Sequence, residues 1–213
     1  MHFQPGIAFL KTLYMMAKPC SKSGNLNKYT GVLGAFNCQG GGWCGETRRN
    51  QCFSQFSQTV TAEMNPNNIE WNSGKNPISI EGVQVFAMYF SQSKKLVLSK
   101  PAENIEISLK PFDFELITVS PVTVLAGKSV HFSPIGLVDM LNTGGAIQSL
   151  AYNESSVRIE VKGSGEVRAF ASDKRTACKI DGKDVEFGFE NHMVIVHVPW
   201  SASSGLSTLE YLF

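Results

Sequence analysis

The chain of 213 residues is close to electrical neutrality, with 19 Lys and Arg against 18 Asp and Glu. A surface without a net field gives no reason to expect a nucleic acid or an anionic membrane as a partner, and neither is predicted. Hydrophobic residues make up 43% of the chain and charged residues 17%, which is enough apolar surface for a folded core and unlike a disordered tail.

Residues 1–24 differ in character from the rest of the chain. The apolar run 7–17 is too short to span a membrane, and no Lys or Arg precedes it as in a secretory signal. Four apolar residues recur in it at helical spacing: Ile7, Leu10, Tyr14 and Ala17. This spacing permits a short amphipathic helix that ends before Pro19, within a divergent leader over 1–24. A frayed or loosely packed leader explains the same residues. We assign residues 25–213 to one domain because no low-complexity linker divides them.

The stretch after Tyr29 has the pattern of strands. Gly82 to Phe90 is apolar on both faces, which predicts a strand buried between layers. Asn104 to Leu109 alternates with a period of two, which predicts a strand with one wet face. Further strands are predicted over Met193 to Val198 and Thr208 to Phe213. Such short strands at close spacing favour an all-β fold, an antiparallel β-sandwich.

Two turn signals predict hairpins. Lys162-Gly163-Ser164-Gly165 separates the apolar runs 157–161 and 167–171, and Asp181-Gly182 separates 178–180 from 185–189. One helix is predicted beyond the leader, over Pro134 to Leu141. Ser133 would cap it, Pro134 suits its first position, and the glycines after Asn142 would end it.

Five cysteines form an odd set at irregular spacing, unlike the frameworks of small secreted domains. Free thiols in a reducing compartment are therefore predicted, which places the chain in the cytoplasm. Cys38, Cys44 and Cys52 cluster in sequence, but no two of them have the spacing of a structural zinc pair and no His lies near them. No metal and no cofactor is predicted.

The segment Asn25 to Asn50 is the richest in candidate chemistry. It predicts a strand, a glycine-rich loop that holds Trp43, and the basic pair Arg48 and Arg49. The three glycines lack the Lys and the following helix of a phosphate loop. An aromatic face beside amide and guanidinium groups suits a pyranose, so a sugar-binding set is predicted, comprising Asn37, Gln39, Trp43, Arg48 and Arg49. A packed Trp with a satisfied indole N–H explains the same residues without a ligand.

At this segment the chain resembles the raffinose synthases, stachyose synthases and seed imbibition proteins, which are placed with alkaline α-galactosidases in family 36 of the glycoside hydrolases. The resemblance rests on Asn-Leu-Asn-Lys-Tyr-Thr-Gly-Val-Leu-Gly over 25–34, Phe-Asn-Cys-Gln-Gly over 36–40, and Glu-Thr-Arg-Arg-Asn over 46–50. Further similarity lies in Asp113-Phe114-Glu115-Leu116, in Phe132-Ser133-Pro134-Ile135-Gly136-Leu137, and in Met140-Leu141-Asn142. Residues 1–24 match nothing in that pattern.

The resemblance implies a parent with a catalytic β/α barrel followed by an antiparallel β domain, to which this chain corresponds. Such parents move α-galactosyl groups from galactinol to sucrose, or to water. The resemblance also implies that residues 29–53, with Phe36, Trp43 and Phe53, contact the barrel or another protein. An isolated chain would then expose that surface and would self-associate or need a partner.

Retaining transfer needs two carboxyl groups ~5 Å apart. The family's nucleophile lies in Lys-Val-Asp and its acid/base follows Arg-x-Ser-Asp-Asp, and the closest approaches here are Lys179-Ile180-Asp181 and Ser172-Asp173. Asp181 belongs to a turn, and the second motif lacks its Arg and second Asp. No catalytic residue is therefore predicted. The alternative function is a free-standing carbohydrate-binding module that uses Trp43 or Trp71.

Overall fold

A computed structural model describes residues 20–39, 41–52, 58–73, 77–125, 127, 129–174, 177–200 and 205–213. The strands in chain order are β1 (Cys20–Leu26), β2 (Gly31–Asn37), β3 (Gly41–Cys44), β4 (Arg49–Cys52), β5 (Val60–Met64), β6 (Phe86–Phe90), β7 (Lys95–Ser99), β8 (Ile105–Leu109), β9 (Phe114–Pro121), β10 (Thr123–Leu125), β11 (Val130–Leu137), β12 (Ile147–Tyr152), β13 (Ser156–Lys162), β14 (Gly165–Ala171), β15 (Ala177–Ile180), β16 (Lys183–Val185), β17 (Gly188–Glu190), β18 (Met193–Val198) and β19 (Leu206–Leu212). Two 3₁₀ helices cover Pro66–Asn68 and Thr143–Ala146. Among the described residues no helix is long and apolar enough to cross a membrane.

The first region of the molecule, residues 20–121, is built on a five-stranded antiparallel sheet in the order β1-β2-β9-β6-β7. Side chains at alternate positions of its strands point to one face and form a core, with Leu33, Met88 and Ile117 among them. The β5–β8 ribbon and the segment that carries Trp71 cover this face. All five residues of β6 are buried, because apolar layers cover both faces of this strand: Phe86, Met88 and Phe90 pack on one side, and Ala87 and Tyr89 pack on the other.

The second region, residues 123–213, is a sandwich of two five-stranded antiparallel sheets in the orders β10-β11-β14-β18-β17 and β12-β13-β19-β15-β16. Their facing sides share a dry core in which Phe132 packs against Tyr152, Tyr211 and Phe213. Apolar residues at every second position of β13, β14 and β18, most of them valines and alanines, fill much of the remaining core. The alternating apolar residues that predict these strands are therefore the same residues that fill the core of the sandwich.

The two regions meet where the second face of the first sheet packs on the outer face of the β11–β14–β18 sheet. Ala87 and Tyr89 lie there against Ile135, Phe170 and Met193. Polar groups close the edges of this seam. The Asn27 and Asn142 side chains exchange two amide hydrogen bonds of 2.6 and 2.9 Å, and the Thr118 and Thr143 hydroxyls bond to each other.

The predicted all-β antiparallel sandwich is confirmed. The predicted strands over 104–109, 193–198 and 208–213 correspond to β8, β18 and β19, while the strand predicted from Gly82 begins only at Phe86. The Asp181-Gly182 hairpin is also confirmed. Ile180 pairs with Lys183 across a two-residue turn in which both central residues have positive φ, 50° and 79°, as a type I′ turn requires.

The hairpin predicted at Lys162–Gly165 is wrong. β13 pairs with β12 and β19, whereas β14 pairs with β11 and β18, so the chain crosses from one sheet of the sandwich to the other. Gly163 and Gly165 have φ of 116° and 124°, which only glycine adopts readily. The local signal for a reversal is therefore correct, but the reversal connects two layers rather than two paired strands.

The helix predicted over Pro134 to Leu141 is also wrong, because this stretch begins inside β11. The Ser133 hydroxyl donates to the carbonyls of Ser120 and Pro121, 3.2 and 3.0 Å away, instead of capping a helix. Pro134 is tolerated in the strand because the register of β11 against β14 shifts between Pro134 and Gly136. Gly136 has a φ of 109° at this bulge and lies against the backbone of Thr143.

The predicted leader falls largely outside the described residues, since 1–19 and their helical pattern are not among them. The described chain begins with β1 at Cys20, so a single strand runs across the boundary that the sequence analysis places between residues 24 and 25.

Candidate functional site

The candidate site predicted between Asn25 and Asn50 lies at one end of the first sheet. β2 is almost entirely buried and ends at Asn37, and a short β3–β4 hairpin follows it. β9 begins at the same end, because Phe36 pairs with Phe114 in the β2–β9 register. The predicted residues therefore begin at the point where β2 leaves the sheet and continue along the hairpin.

Asn37 connects four segments of the chain at this end. It is 1% exposed, and its Nδ2 donates to the carbonyls of Gln58 and Leu109 at 2.7 and 3.0 Å. Its Oδ1 accepts from the Gln39 N–H at 3.1 Å. Its backbone N–H donates to the Asp113 carbonyl, and its own carbonyl accepts from the Phe112 N–H, both at 3.0 Å. The amide is thus committed to backbone groups of the protein itself.

The other predicted sugar-binding residues lie along the β3–β4 hairpin. Gln39 is at its base, where Oε1 accepts from the Gln58 N–H at 3.3 Å. Trp43 pairs with Asn50 within the hairpin, and its side chain is not among the described groups. Arg48 and Arg49 are exposed at the turn, and Arg48 has a φ of 51°. The fold brings Asn37 and Gln39 together and places the two arginines at the opposite end, about 10 Å away along the strands.

An apolar surface made by Phe36, Phe112, Phe114 and Leu116, which we name the aromatic end, lies beside Asn37. Of these four residues, the sequence predicts only Phe36 as a surface contact. The rings of Phe36 and Phe114 stack with centroids 6.0 Å apart and planes inclined by 22°. Phe112 and Phe114 are 51% and 38% exposed. These residues lie on the face of the sheet opposite Leu33 and Ile117. Apolar residues at alternate positions on both faces of β2 and β9 are the sequence signal that would have predicted this surface.

The two carboxylates nearest to the resembling family's catalytic motifs serve local structure. Asp181 Oδ1 accepts from the Thr208 N–H at 2.8 Å in its turn, and Asp173 Oδ2 accepts from the Ser172 hydroxyl at 3.2 Å. Within the described part of the chain, no three His, Cys, Asp or Glu residues are grouped so that they could hold a metal ion.

Cys178 is the buried thiol of the sandwich core, where burial raises its pKa from 9.0 to about 12. The thiol therefore stays protonated at neutral pH, and protonated thiols are poor nucleophiles. Packing in the core as a small apolar side chain is enough to explain why this cysteine is there.

An open depression of about 560 Å³ lies beside Trp71 in the first region. Its floor is formed by Ile69, Trp71 and Ile80, and its rim carries Asn67, Glu70, Asn72 and Ser73. Trp71 itself is only 4% exposed, donates its indole N–H to the Pro66 carbonyl at 2.9 Å, and packs on Phe86 with centroids 5.3 Å apart. The depression thus offers polar groups above an apolar floor, but little of the indole face.

Comparison with known families decides how these features are interpreted. Residues 16–199 match the family described as raffinose synthase or seed imbibition protein Sip1. The chain belongs to this family, and it corresponds to the C-terminal part of its members.

The relatives are plant proteins. The chain is 61% identical over 196 residues to "Probable galactinol–sucrose galactosyltransferase 5" of Arabidopsis thaliana. It is 55% identical over 198 residues to the galactinol–sucrose galactosyltransferase of Pisum sativum, and 32% identical over 192 residues to the stachyose synthase of the same plant. The first two matches cover 92% of this chain and 25% of each relative, and the third covers 89% and 22%. The chain therefore spans about a quarter of the length of the relatives it matches.

Proposed function

We propose that this chain is the non-catalytic C-terminal domain of a galactinol–sucrose galactosyltransferase of the kind found in glycoside hydrolase family 36, acting in raffinose-family oligosaccharide metabolism. The observation that carries the proposal is the 61% identity to a relative that the chain matches over only 25% of its length. The proposal assigns binding of the galactosyl donor and acceptor, and the chemistry between them, to the rest of such a parent. The chain alone is then inactive.

The chemistry of retaining transfer supports the same proposal. Such transfer needs a nucleophilic carboxylate and a carboxylic acid about 5 Å apart on either side of the anomeric carbon. Asp173 and Asp181 are engaged in turns, and Glu115 is buried with Oε1 accepting from the N–H groups of Gln92 and Leu116. Asp181 and Glu115 accept hydrogen bonds from backbone groups and Asp173 accepts one from its neighbour Ser172, which suits a domain that supports a catalytic partner.

The proposed contact of this domain with the rest of its parent runs through residues 29–53. Tyr29 packs inward on the sandwich core, and most of β2 is buried inside the first sheet. The accessible part of the segment therefore begins at Phe36 and continues into the hairpin, and Phe53 lies outside the described residues. We further propose a cytoplasmic location, which the free thiols of Cys38 and Cys178 support.

The test is an activity assay on the purified chain, with an activated aryl α-galactoside and with galactinol plus sucrose as substrates. We expect no turnover of either, with the pea galactosyltransferase as the positive control. Turnover that disappears in Asp113→Asn or Asp181→Asn would show that this chain carries its own catalytic carboxylates and would overturn the proposal.

A carbohydrate-binding module is the second candidate, and the depression beside Trp71 is the observation that favours it. Asn67, Asn72 and Glu70 supply exposed amide and carboxylate groups for hydroxyls above an apolar floor. Galactinol, raffinose and sucrose are titrated against intrinsic Trp fluorescence, with Trp71→Phe and Trp43→Phe as test variants. Trp200→Phe is the matched control, since Trp200 is exposed in the other region. If quenching is saturable and is abolished by Trp71→Phe or Trp43→Phe, the carbohydrate-binding module is favoured. If no sugar changes the fluorescence, this candidate function is excluded.

A further inference from the structure

Three of the segments on which the family resemblance rests meet at one point of the seam between the two regions. They are far apart in sequence: residues 25–34 include the loop between β1 and β2, residues 132–137 belong to β11, and residues 140–142 follow β11. The point where they meet consists of the loop 27–30, Gly136 and residues 142–144, which we name the clasp. The proposed function gives none of these residues a task, so their contacts have to be explained separately.

Directional hydrogen bonds connect the two sides of the clasp. The Asn27 and Asn142 side chains exchange two amide hydrogen bonds, so each amide both donates and accepts. The Asn27 N–H also donates to the Thr30 carbonyl at 2.7 Å, which fixes the shape of the loop. Beside it, Lys28 Nζ donates to the Gln148 carbonyl at 2.9 Å. The loop of the first region is thus bonded to the sandwich at two places.

The clasp also depends on a close steric fit. A β-carbon on Gly144 would lie 1.9 Å from the hydroxyl oxygen of Thr30 and 2.9 Å from its Cβ, so a glycine is needed for this approach. Thr30 is 0% exposed and has no room to move aside. Next to Gly144, Thr143 contacts Gly136 through its carbonyl and bonds to the Thr118 hydroxyl of β9. A small shift between the two regions would create a clash or break a hydrogen bond here.

The rest of the seam constrains the angle between the regions far less. Ala87 and Tyr89 pack there on apolar side chains of the sandwich. Hydrophobic burial is non-directional, so it holds two surfaces together without selecting one orientation. Between residues 20 and 213 the chain passes from the first region to the sandwich once, between Pro121 and Thr123. A single connection leaves rotation about it open, and the clasp is the place where rotation meets a steric and hydrogen-bonding limit.

We infer that the clasp holds the first region and the sandwich at one fixed angle, so that the two regions move as a single rigid body. This is the task of the motif residues Asn27, Thr30 and Asn142, together with Gly144. A fixed angle also keeps the aromatic end at a constant position relative to the sandwich. The inference does not depend on the proposed galactosyltransferase role, so the activity assay and the test of the clasp fail separately.

Distances between two spin labels, measured by pulsed electron resonance on the full chain, test the inference. The labels are attached to p-acetylphenylalanine at positions 95 and 158, which are exposed strand positions in β7 and β13, and this chemistry leaves the native cysteines unchanged. We expect one narrow distance distribution for the otherwise unsubstituted chain. Gly144→Ala should shift or broaden it, because the added methyl group displaces Thr30. The matched control is Gly45→Ala, where an added β-carbon meets nothing within 4 Å, and it should leave the distribution unchanged.

A suppressor variant separates the clasp from a general loss of folding. Thr30→Gly removes the atoms that the methyl group of Gly144→Ala would meet. Adding Gly144→Ala to Thr30→Gly should therefore leave the distribution of Thr30→Gly unchanged. An equal effect of Gly144→Ala with and without Thr30→Gly would overturn the inference, because the change would not act through this contact.

The amide pair gives a second route that does not put a methyl group into a buried site. Asn27→Ala combined with Asn142→Ala removes the two exchanged hydrogen bonds at a half-buried position. We expect this double variant to fold and to broaden the distance distribution. An unchanged distribution in the double variant would contradict the inference, and so would a broad distribution in the unsubstituted chain.

Discussion

The two regions of the molecule bury their apolar side chains in different ways. In the sandwich, two five-stranded sheets face each other, and the inner side of each is covered by the other. Among its described residues, the first region has one five-stranded sheet. A two-stranded ribbon and a segment with little regular structure cover one of its faces, and the sandwich covers part of the other.

The difference shows that the first region depends on its surroundings more than the sandwich does. Part of its second face rests on Phe170 and Met193 of the sandwich, and the remainder of that face ends in the half-exposed rings beside Asn37. We therefore expect the sandwich to be the more autonomous folding unit and the first region to need the seam. The following experiments test this view.

The largest effect is expected from removing a core ring. Phe132 and Phe86 are both fully buried, the first in the sandwich and the second in the first region. Phe132→Ala and Phe86→Ala should each cost about 3–5 kcal/mol of the free energy of unfolding. Hydrogen exchange should show that Phe132→Ala loosens both regions, whereas Phe86→Ala loosens the first region and leaves the sandwich protected. If Phe132→Ala left the first region fully protected, the proposed dependence would be wrong.

The next largest effect concerns Asn37. Asn37→Ala removes the amide group that donates hydrogen bonds to two backbone carbonyls, one of them buried. Because these carbonyls lose their donor, the free energy of unfolding in a urea titration should fall by about 2–3 kcal/mol. Asn67→Ala, at an exposed asparagine of the same region, should change it by less than about 0.5 kcal/mol. Equal effects of the two variants would mean that Asn37 does not tie the strand ends together.

A smaller effect is expected at the seam. Asn142→Ala breaks the amide pair with Asn27, and the half-buried pair should contribute about 1–2 kcal/mol. Asn27→Ala should cost a similar amount, and the double variant should cost no more than the worse single one, because both remove the same interaction. Fully additive costs in a double-mutant cycle would show that the two amides do not couple the regions.

The smallest effect is expected from the ion pair that also spans the seam. Lys94 and Asp139 approach to 3.5 Å, but their side chains are 49% and 72% exposed. Solvent screens such a pair, so Asp139→Asn should change the free energy of unfolding by less than about 1 kcal/mol. The difference from the unsubstituted chain should shrink further at high salt. A loss as large as that of Asn142→Ala would make electrostatics, rather than the amide pair, the main polar link.

The sequence predicts strands well wherever alternation and burial agree. β8 has apolar residues at every second position with polar ones between, β18 has buried valines at every second position, and the predicted bounds of both strands lie within one residue of the observed ones. The Asp181-Gly182 turn was predictable because both residue types tolerate positive φ. These features depend on neighbours in sequence, which a single chain displays directly.

The errors occur where distant parts of the chain decide the outcome. The cap and stop residues around Pro134 are real local signals, but pairing of β11 with β14 outweighs them. Gly163 and Gly165 reverse the chain equally well within a sheet or between two sheets, and only the pairing of β13 with β19 selects the second arrangement. The sugar-binding role of Asn37 stays a prediction. Its hydrogen bonds to Gln58, Leu109 and Asp113 could not be predicted, because these partners lie far along the chain.

The order of strands in the second sheet of the sandwich has a consequence for synthesis on the ribosome. β19 lies between β13 and β15, so the hairpins β12–β13 and β15–β16 have no common neighbour until residues 206–212 are made. During translation their inner edges stay open to pairing with other nascent chains. A ribosome that stalls or stops before Leu206 would release a polypeptide with most of its core residues but without the strand that joins the two hairpins. Such products should be poorly soluble and rapidly degraded.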